Sequence, residues 1–275
     1  MRTLLHLSDL HFGRIDPAVV DPLLHAIDEL KPNLVAISGD FTQRARRSQF
    51  AEARAFLDEI EAKTLVVPGN HDIPLYDVAE RFTTPLRRYR EYISSHLEPE
   101  YVDEEMIVIG INTARSLAWG EGRINEQQVE RVVNRLSQVP ESLLRVIVTH
   151  HPFDLPPGID EKRLLGRSEM AMRRLAEANA DLFLSGHLHL SHVSHAVDRY
   201  RMNGHSAMIV QAGTVSTRSR GEQPSFNVLR MERPAITLDR FTWNEAKCAF
   251  DGSTVGHYRH SPKGWVKSAP GGDPP

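Results

Sequence analysis

The sequence lacks several features that would point away from an ordinary globular protein. It has a single cysteine, Cys248, which excludes an internal disulfide framework and a cysteine-rich metal site. No apolar run approaches the length of a transmembrane helix, and no basic or apolar leader precedes the first predicted strand at Thr3. The formal net charge is only −3, which gives no general attraction to nucleic acid or membranes. We therefore expect a cytoplasmic protein with no membrane span and no strong nucleic-acid signal.

What the sequence does contain is a large apolar fraction and many histidines. Hydrophobic residues make up 40% of its 275 residues and charged residues 25%, which is typical of a globular protein with a sizeable core. Histidine occurs 14 times, and the positions of these residues are more informative than their number.

The first half of the chain alternates short apolar segments with amphipathic segments of helical spacing. The predicted strands lie at 3–8, 33–38 and 64–67, and the predicted helices at 17–30 and 48–60. This alternation predicts a parallel sheet with helices packed against it. The segment 73–97 breaks the rhythm, and we expect irregular or helical cover beside the sheet.

The second half changes character. Further strands are predicted at 106–111, 143–149 and 181–185, with helices near 125–136 and 168–178. Four more apolar or alternating segments follow without helices, which indicates an antiparallel run: 192–197, 206–212, 225–231 and 235–243. We predict an α/β fold of two sheets face to face with helices outside. Residues 1–245 would form a single domain, and 246–275 a C-terminal extension, disordered or loosely attached from about Ser261.

Polar side chains follow five of the predicted strands. They are Asp9 and His11, Asp40, Asn70 and His71, His150, and His187 and His189. The carboxyl ends of parallel strands form the rim where α/β sheets bind ligands. Because Asp9/His11 and His187/His189 are spaced two apart, extended backbone would place each pair on one face.

Each of these motifs alone also has an ordinary structural explanation. Asp-x-His after a strand is commonly a helix cap beside a packed histidine, and Gly-Asp is commonly a turn. Their occurrence at five strand ends, in one order, favours a shared site. Imidazoles, carboxylates and an amide without thiolate suit Mn, Fe, Co, Ni or Zn. Seven ligands are too many for one ion but suit two ions about 3.5–4 Å apart, the spacing of two-metal sites.

The series Asp9-x-His11, Gly39-Asp40, Gly69-Asn70-His71-Asp72, His150-His151 and Gly186-His187-x-His189 resembles the calcineurin-like metallophosphoesterases over about residues 3–230. Within that superfamily the chain is most similar to bacterial class III cyclic nucleotide phosphodiesterases. The resemblance implies a four-layer αββα sandwich of two mixed sheets. It also implies two divalent metal ions, with manganese or iron favoured and zinc, cobalt and nickel as alternatives.

The same resemblance implies a role for each residue of the series. One metal would be held by Asp9, His11 and His189, and the other by Asn70, His150 and His187. Asp40 would bridge the two ions, and His71 would be the catalytic histidine, bound to neither. The family pattern favours His150 over its neighbour His151 as the ligand, a choice that spacing alone leaves open.

The predicted activity is hydrolysis of a small phosphodiester, such as a 3′,5′-cyclic nucleotide, by attack of a metal-bridging hydroxide. His71 would protonate the leaving oxygen, and Asp72 would either orient His71 or cap the turn. Arg44, Arg46 and Arg47 are interpreted as part of a solvated basic turn, with contact to a phosphate or a nucleic-acid backbone as the alternative. A homodimer is also predicted, with the segment 243–265 as its contact.

Other functions remain open at this point. The same chemistry could act on nucleic acid, a nucleotide-linked lipid or a phosphomonoester. A nuclease would need a basic groove, and a lipid-specific enzyme an apolar cap, for which 73–97 is the candidate. A metal-free scaffold for partner binding should have lost ligands, and none is missing here.

Overall fold

The computed structural model describes residues 1–118, 120–200, 206–218, 220–262 and 264–269. Within these ranges the strands are β1 (Arg2–Leu7), β2 (Leu34–Ile37), β3 (Thr64–Val66), β4 (Glu100–Val102), β5 (Met106–Gly110), β6 (Leu144–Val148), β7 (Leu182–Ser185), β8 (His192–His195), β9 (Met208–Gln211), β10 (Ser225–Glu232), β11 (Ala235–Asn244), β12 (Ala249–Ser261) and β13 (Gly264–Ser268). The α-helices are α1 (Pro17–Leu30), α2 (Arg47–Asp58), α3 (Val78–Thr83), α4 (Arg87–Tyr92), α5 (Glu126–Leu136), α6 (Ser168–Glu177) and α7 (Ala196–Arg199). In the described part of the chain, no helix is long and apolar enough to cross a membrane.

The strands form two mixed sheets. The seven-stranded sheet has the order β13-β12-β11-β10-β1-β2-β3, and the six-stranded sheet the order β4-β5-β6-β7-β9-β8. Parallel pairing joins β1 to β2 and β2 to β3 in the first sheet. In the second sheet it joins β5, β6, β7 and β9 in sequence. The parallel strands of both sheets end at the rim that carries the polar residues identified from the sequence.

Alternate side chains of the central strands enter two different cores. Leu5 and Val35 face α1 and α2, whereas Leu4 and Leu34 face the second sheet. Such strands are buried on both faces and therefore read as continuous apolar runs. A third apolar cluster packs α5 and α6 against the far side of the second sheet. The layer order is helices, sheet, sheet, helices, which confirms the predicted αββα sandwich.

The helix α1 shows how local sequence sets an element's bounds. The Asp16 side chain accepts a hydrogen bond from the Ala18 N–H (2.9 Å), and Pro17 occupies the first helical position, where its missing N–H costs nothing. At the other end Lys31 adopts a left-handed conformation, which stops the helix. The observed bounds agree with the predicted ones because caps and apolar spacing indicate the same ends.

The prediction of a purely antiparallel run after residue 191 is wrong. Strand β9 pairs in parallel with β7, and only β8 lies antiparallel to it. The predicted strand at 192–197 ends early, because the Asp198 side chain accepts the His195 N–H (3.1 Å) and starts the helical turn α7. The residue pattern of β9 alone does not show that its neighbour β7 runs parallel to it.

The predicted disorder from about Ser261 is wrong for residues 264–268, which form β13. This strand pairs with β12 and extends the first sheet. Trp265 is fully buried in the core between the sheets, and its indole N–H donates to Asp181 (2.8 Å). The predicted boundary at residue 245 falls in the turn between β11 and β12, two strands of one sheet. The residues 270–275 of the predicted disordered end lie outside the described ranges.

If β13 completes the core, Trp265→Ala should lower the free energy of unfolding by about 3–5 kcal/mol, the usual cost of removing a buried aromatic side chain. Urea denaturation of the wild type and the variant measures this difference. Trp243→Ala is the matched control, because Trp243 is only partly buried. Equal, small losses in both variants would show that β13 contributes little to the core.

Candidate metal centre

The eight residues predicted for the site lie together where the two sheets meet. The carboxylate of Asp9 accepts the backbone N–H of His187 (2.8 Å), which joins the end of β1 to the end of β7. The His150 Nδ1 lies 2.7 Å from the Ser38 carbonyl, which joins the end of β6 to the end of β2. Residues far apart in sequence are thus held at one rim by contacts among themselves.

The backbone at this rim is not extended, contrary to the prediction for the residue pairs spaced two apart. Asp9, His11, Asp40, His187 and His189 all have positive φ values, between 48° and 72°. Side chains other than glycine rarely adopt this region, and such strain concentrates at functional sites. The paired side chains converge because the chain turns at each of them. They do not converge by strand alternation.

A glycine before two of the candidate ligands, Asn70 and His187, allows the strand ends to approach each other. A Cβ atom on Gly69 would overlap the Asp40 carboxylate, and one on Gly186 would overlap Ser8 and Asp9. These glycines are therefore needed for close contact between neighbouring strand ends. This explains why the motifs read Gly-Asn-His and Gly-His.

The first group of candidate ligands consists of Asp9, His11, Asp40 and His189, whose ligand atoms all lie within 4.8 Å of one another. The Nε2 atoms of His11 and His189 are 3.1 Å apart, and His189 Nε2 is 3.1 Å from Asp9 Oδ1. Both Nδ1 atoms face backbone carbonyls, at 3.4 Å for His11 and 2.7 Å for His189. With Nδ1 carrying the proton, both Nε2 lone pairs point inward, as metal ligands require.

The second group surrounds His150. Its Nε2 lies 3.1 Å from Asn70 Oδ1 and 3.3 Å from Asp40 Oδ2. The His187 ring lies 5.2 Å from the His150 ring, and within the described residues neither of its buried nitrogens has a hydrogen-bond partner. A buried imidazole without a partner is costly unless something occupies its lone pair.

Asp40 joins the two groups. Its Oδ2 faces His150 of the second group at 3.3 Å and His11 of the first at 3.7 Å. Its Oδ1 accepts the backbone N–H of His71 (2.8 Å), which fixes the orientation of the carboxylate. This is the placement expected of a carboxylate shared by two ions.

His150 and His151 differ in their surroundings. His150 faces Asp40 and Asn70, whereas His151 Nδ1 is bonded to the Thr113 hydroxyl (2.8 Å). His151 Nε2 has no partner in the described part of the chain, and its ring lies 4.7 Å from that of His187. Both histidines also belong to one group of close ligand atoms with His187. The choice of His150 as the ligand stays a prediction, favoured by its contact with Asp40.

The charges of the site suit divalent cations. Although burial raises the pKa of Asp9 and Asp40, the surrounding histidines outweigh it and hold both carboxyls well below their usual values. Burial lowers the pKa of His187 to about 3, so this imidazole is neutral. Burial also opposes charge on His150, but Asp40 raises its pKa to about 9. Ionised carboxylates beside a neutral, unpartnered imidazole form a donor set that fits two divalent ions.

His71 lies beside the first group with one nitrogen anchored. Its Nδ1 is 2.8 Å from the Gln43 carbonyl, so Nδ1 is the protonated nitrogen and Nε2 faces the site. Its ring centre is 4.9 Å from that of His11. Burial lowers the pKa of His71, with Asp40 opposing, which makes its protonated form a stronger proton donor.

Asp72 caps the turn and does not contact the His71 ring. Its two oxygens accept the backbone N–H groups of Gly69 (2.9 Å), Thr42 (3.0 Å) and Phe41 (3.3 Å). Burial and the charge of Asp40 raise its pKa to about 7. The hydrogen bonds of Asp72 therefore support the capping role over the orienting role. The Gln43 carbonyl orients His71 instead.

Two arginines lie near His71 that the sequence did not predict as part of the site. Arg218 Nη1 lies 2.9 Å from His71 Nε2, and no motif marked this residue. Arg44, interpreted as solvated, is half-buried, with Nη1 3.5 Å from His71 Nδ1. A signal existed for Arg44 in its position four residues after Asp40. Arg218 reaches the site from a loop after β9, which only the tertiary fold reveals.

A family model described as calcineurin-like phosphoesterase matches residues 2–191 of the chain. A comparison with curated proteins finds no match. Among solved structures, a dimetal phosphatase from Danio rerio has a TM-score of 0.63 at 13% identity, covering 92% of this chain and 98% of that chain. The purple acid phosphatase PPD1 of yellow lupin (Lupinus luteus) has a TM-score of 0.68 at 12% identity, covering 92% of this chain and 53% of that one. At these identities the likeness to solved structures concerns the fold alone.

The position of Asp40 predicts that Asp40→Ala removes both ions, because each group loses the carboxylate that it shares with the other. We expect two manganese ions per chain in the reconstituted wild type and fewer than one in the variant, measured by elemental analysis after gel filtration. Asp58→Ala, which removes an exposed carboxylate on α2, is the control and should retain two. Two tightly bound ions in the Asp40 variant would contradict the bridging role.

The capping role of Asp72 predicts a loss of stability in Asp72→Ala at pH 6, below the raised pKa of the carboxyl, where its removal relieves little charge repulsion with Asp40. The backbone N–H groups of Gly69, Thr42 and Phe41 would lose their acceptor, at a cost of about 1–3 kcal/mol. Chemical denaturation measures this loss. Unchanged stability together with a selective loss of activity on poor leaving groups would instead indicate that Asp72 acts through His71.

Proposed function

Because this chain belongs to the calcineurin-like phosphoesterase family, we propose that it is a two-metal phosphodiesterase that hydrolyses a small phosphodiester, with 3′,5′-cyclic nucleotides as the first candidates. The observation that carries this proposal is the pair of ligand groups joined by Asp40, with His71 beside them. We also propose that the protein is cytoplasmic and works as a homodimer. Sedimentation of the metal-loaded protein tests the oligomeric state.

In this proposal Asp9, His11 and His189 hold one ion, and Asn70, His150 and His187 hold the other. Asp40 lies between them and contributes to both. Bound there, the two divalent ions supply positive charge for the phosphoryl oxygens and activate a water molecule as the nucleophile at neutral pH. Manganese or iron fits these oxygen and imidazole donors, and zinc, cobalt and nickel are alternatives.

His71 is proposed to protonate the leaving oxygen. The Gln43 carbonyl accepts its Nδ1–H, and this holds the ring with Nε2 towards the ligand groups. In this structure Nε2 accepts a hydrogen bond from Arg218 Nη1 (2.9 Å). Once Arg218 turns to the substrate, the protonated ring can present an Nε2–H to an alkoxide that departs poorly without a proton. A positioned acid of this kind contributes roughly 10²–10⁴-fold to the rate.

The cavity beside His71 supports a small leaving group. Its volume is about 160 Å³, and its lining includes Arg44, Asn70, Ile73 and Leu75. Sites that enclose a whole drug-sized ligand usually measure about 300–1,000 Å³. A cavity of this size suits one sugar or ring of a nucleotide better than a lipid chain.

A second candidate is hydrolysis of a nucleotide-linked lipid. The segment 73–97 contributes Ile73, Leu75 and Arg81 to the cavity lining. The same segment exposes three large apolar side chains, with exposed fractions of 73% for Tyr76, 59% for Val78 and 49% for Phe82. Exposed apolar residues beside a site can contact an acyl chain that extends out of it. This observation is the reason to include such a substrate in the assay.

The proposal is tested with a substrate panel on the manganese-reconstituted protein. The panel comprises cyclic nucleotides, bis(p-nitrophenyl) phosphate, p-nitrophenyl phosphate, linear nucleic acid and a nucleotide-linked lipid. We expect the two small diester classes to be cleaved with the highest kcat/KM. Cleavage of the lipid alone would favour the second candidate. A protein that binds no metal after reconstitution and cleaves none of the panel would be a scaffold.

The acid role predicts that His71→Ala depends on the leaving group. The loss in kcat should be roughly 10²–10⁴-fold for an alkyl ester and much smaller for a nitrophenyl ester, whose leaving group needs little protonation. The comparison uses methyl p-nitrophenyl phosphate, which has a nitrophenyl leaving group, and a dialkyl phosphate, which has an alkyl one. The metal content of each preparation is verified. Equal losses on both esters would refute the acid role while leaving the two-metal site intact.

A further inference from the structure

Two guanidinium groups flank His71 on opposite sides. Arg218 Nη1 lies 2.9 Å from His71 Nε2 and 3.4 Å from His11 Nε2, on the side that faces the first ligand group. Arg44 Nη1 lies 3.5 Å from His71 Nδ1, at the cavity. A phosphoryl group held beside the first ligand group, with its leaving oxygen near His71, would meet the Arg218 guanidinium directly.

Neither arginine has an acidic partner among the described residues, where no carboxylate lies within 4 Å of either guanidinium. Other arginines of the molecule do have such partners: Arg47 pairs with Glu91 and Arg199 with Glu161. Arg44 and Arg218 are both half-buried. Burial lowers the pKa of Arg218, the charges of Asp40 and Asp9 oppose this shift, and the positive charges of Arg44 and Arg220 add to it. A half-buried guanidinium without a direct carboxylate partner is unfavourable unless an anion binds beside it.

The loop that carries Arg218 is fixed to the ligand residues by hydrogen bonds of its own. The Thr214 hydroxyl donates to the Asp9 carbonyl (2.7 Å), and the Arg218 N–H donates to the Ser216 hydroxyl (3.3 Å). The backbone carbonyl of Arg218 accepts from His189 Nδ1 (2.7 Å). These contacts involve backbone or other side chains, so the Arg218 guanidinium takes no part in holding the loop.

We propose that Arg218, assisted by Arg44, binds a non-bridging oxygen of the phosphoryl group and makes the site selective for anionic phosphoesters. This inference rests on the proposed function and adds the residues that recognise the charge of the substrate. A guanidinium donates two N–H groups in a fixed plane, which matches phosphoryl oxygens. In a site shielded from water, such a donor stabilises the charge that develops on these oxygens during attack. Uncharged phosphotriesters would gain less from it, because their single phosphoryl oxygen carries no full negative charge before attack.

The first test separates binding from catalysis. Inorganic phosphate is titrated calorimetrically into the manganese-loaded wild type, Arg218→Ala and Arg44→Ala. We expect at least a tenfold weaker Kd for Arg218→Ala and a smaller change for Arg44→Ala. The metal content should stay at two ions per chain, since the contact with His189 comes from the backbone. Unchanged phosphate affinity in Arg218→Ala would overturn the proposal, as would loss of metal from that variant.

The second test measures turnover of bis(p-nitrophenyl) phosphate. Removing one donor to a developing oxyanion typically costs 10²–10³-fold in kcat, so Arg218→Ala should lose roughly that factor. Arg218→Lys should recover part of it, because lysine keeps the charge but lacks the planar pair of donors. Arg173→Ala is the control: Arg173 is an exposed arginine of α6 and should leave the rate unchanged. Equal rates for wild type and Arg218→Ala would overturn the proposal.

The two tests also separate this inference from the proposed function. If the wild type hydrolyses no diester, the proposed function fails, and the phosphate titration still decides whether Arg218 binds an anion. If the wild type is active and Arg218→Ala binds phosphate normally, only the arginine proposal fails.

Discussion

The arrangement at the rim depends on one buried carboxylate, Asp40. Its Oδ2 faces His11 on one side and His150 on the other, and its Oδ1 accepts the backbone N–H of His71. A buried charge must be balanced by partners or by metal. Asp40 meets that requirement only where the ends of β1, β2, β3 and β6 come together, so the position of this side chain links the two sheets to the chemistry of the site.

Much of the fold and the whole set of candidate ligands could be predicted from the sequence. The helix α1 was predictable because Asp16, Pro17 and apolar spacing mark its bounds locally. The shared location of the candidate ligands was predictable because strand ends of a parallel sheet share one rim. The parallel pairing of β9 was not predicted, since its partner β7 is separated from it in sequence by β8 and α7. The strand β13 was not predicted because the contact that buries it, from Trp265 to Asp181, is distant in sequence. Assigning extended backbone to Asp9 and His11 was wrong, because left-handed turns leave no pattern in residue type.

The residues around His71 divide into those that hold it and those that face its substrate. Asp72 fixes the turn through backbone N–H groups, and the Gln43 carbonyl fixes the ring. A sequence motif does not show which backbone carbonyl contacts a histidine. It also does not show whether an aspartate beside that histidine caps a turn or acts in catalysis. The arginines on either side of His71 are likewise visible only in three dimensions, because Arg44 and Arg218 lie 174 residues apart along the chain.

The strand order has a consequence for how the centre is assembled. Strand β1, which leads to Asp9 and His11, lies between β2 and β10 in the first sheet, and β10 begins only at Ser225. Pairings of such long sequence separation form late, because loop closure must precede the contacts that reward it. Ser225 follows His11 by more than 200 residues, so β1 gains its second neighbour only after the whole intervening segment has been made. Metal uptake should therefore follow the pairing of β10 with β1 and should not guide the earlier folding of β1, β2 and β3.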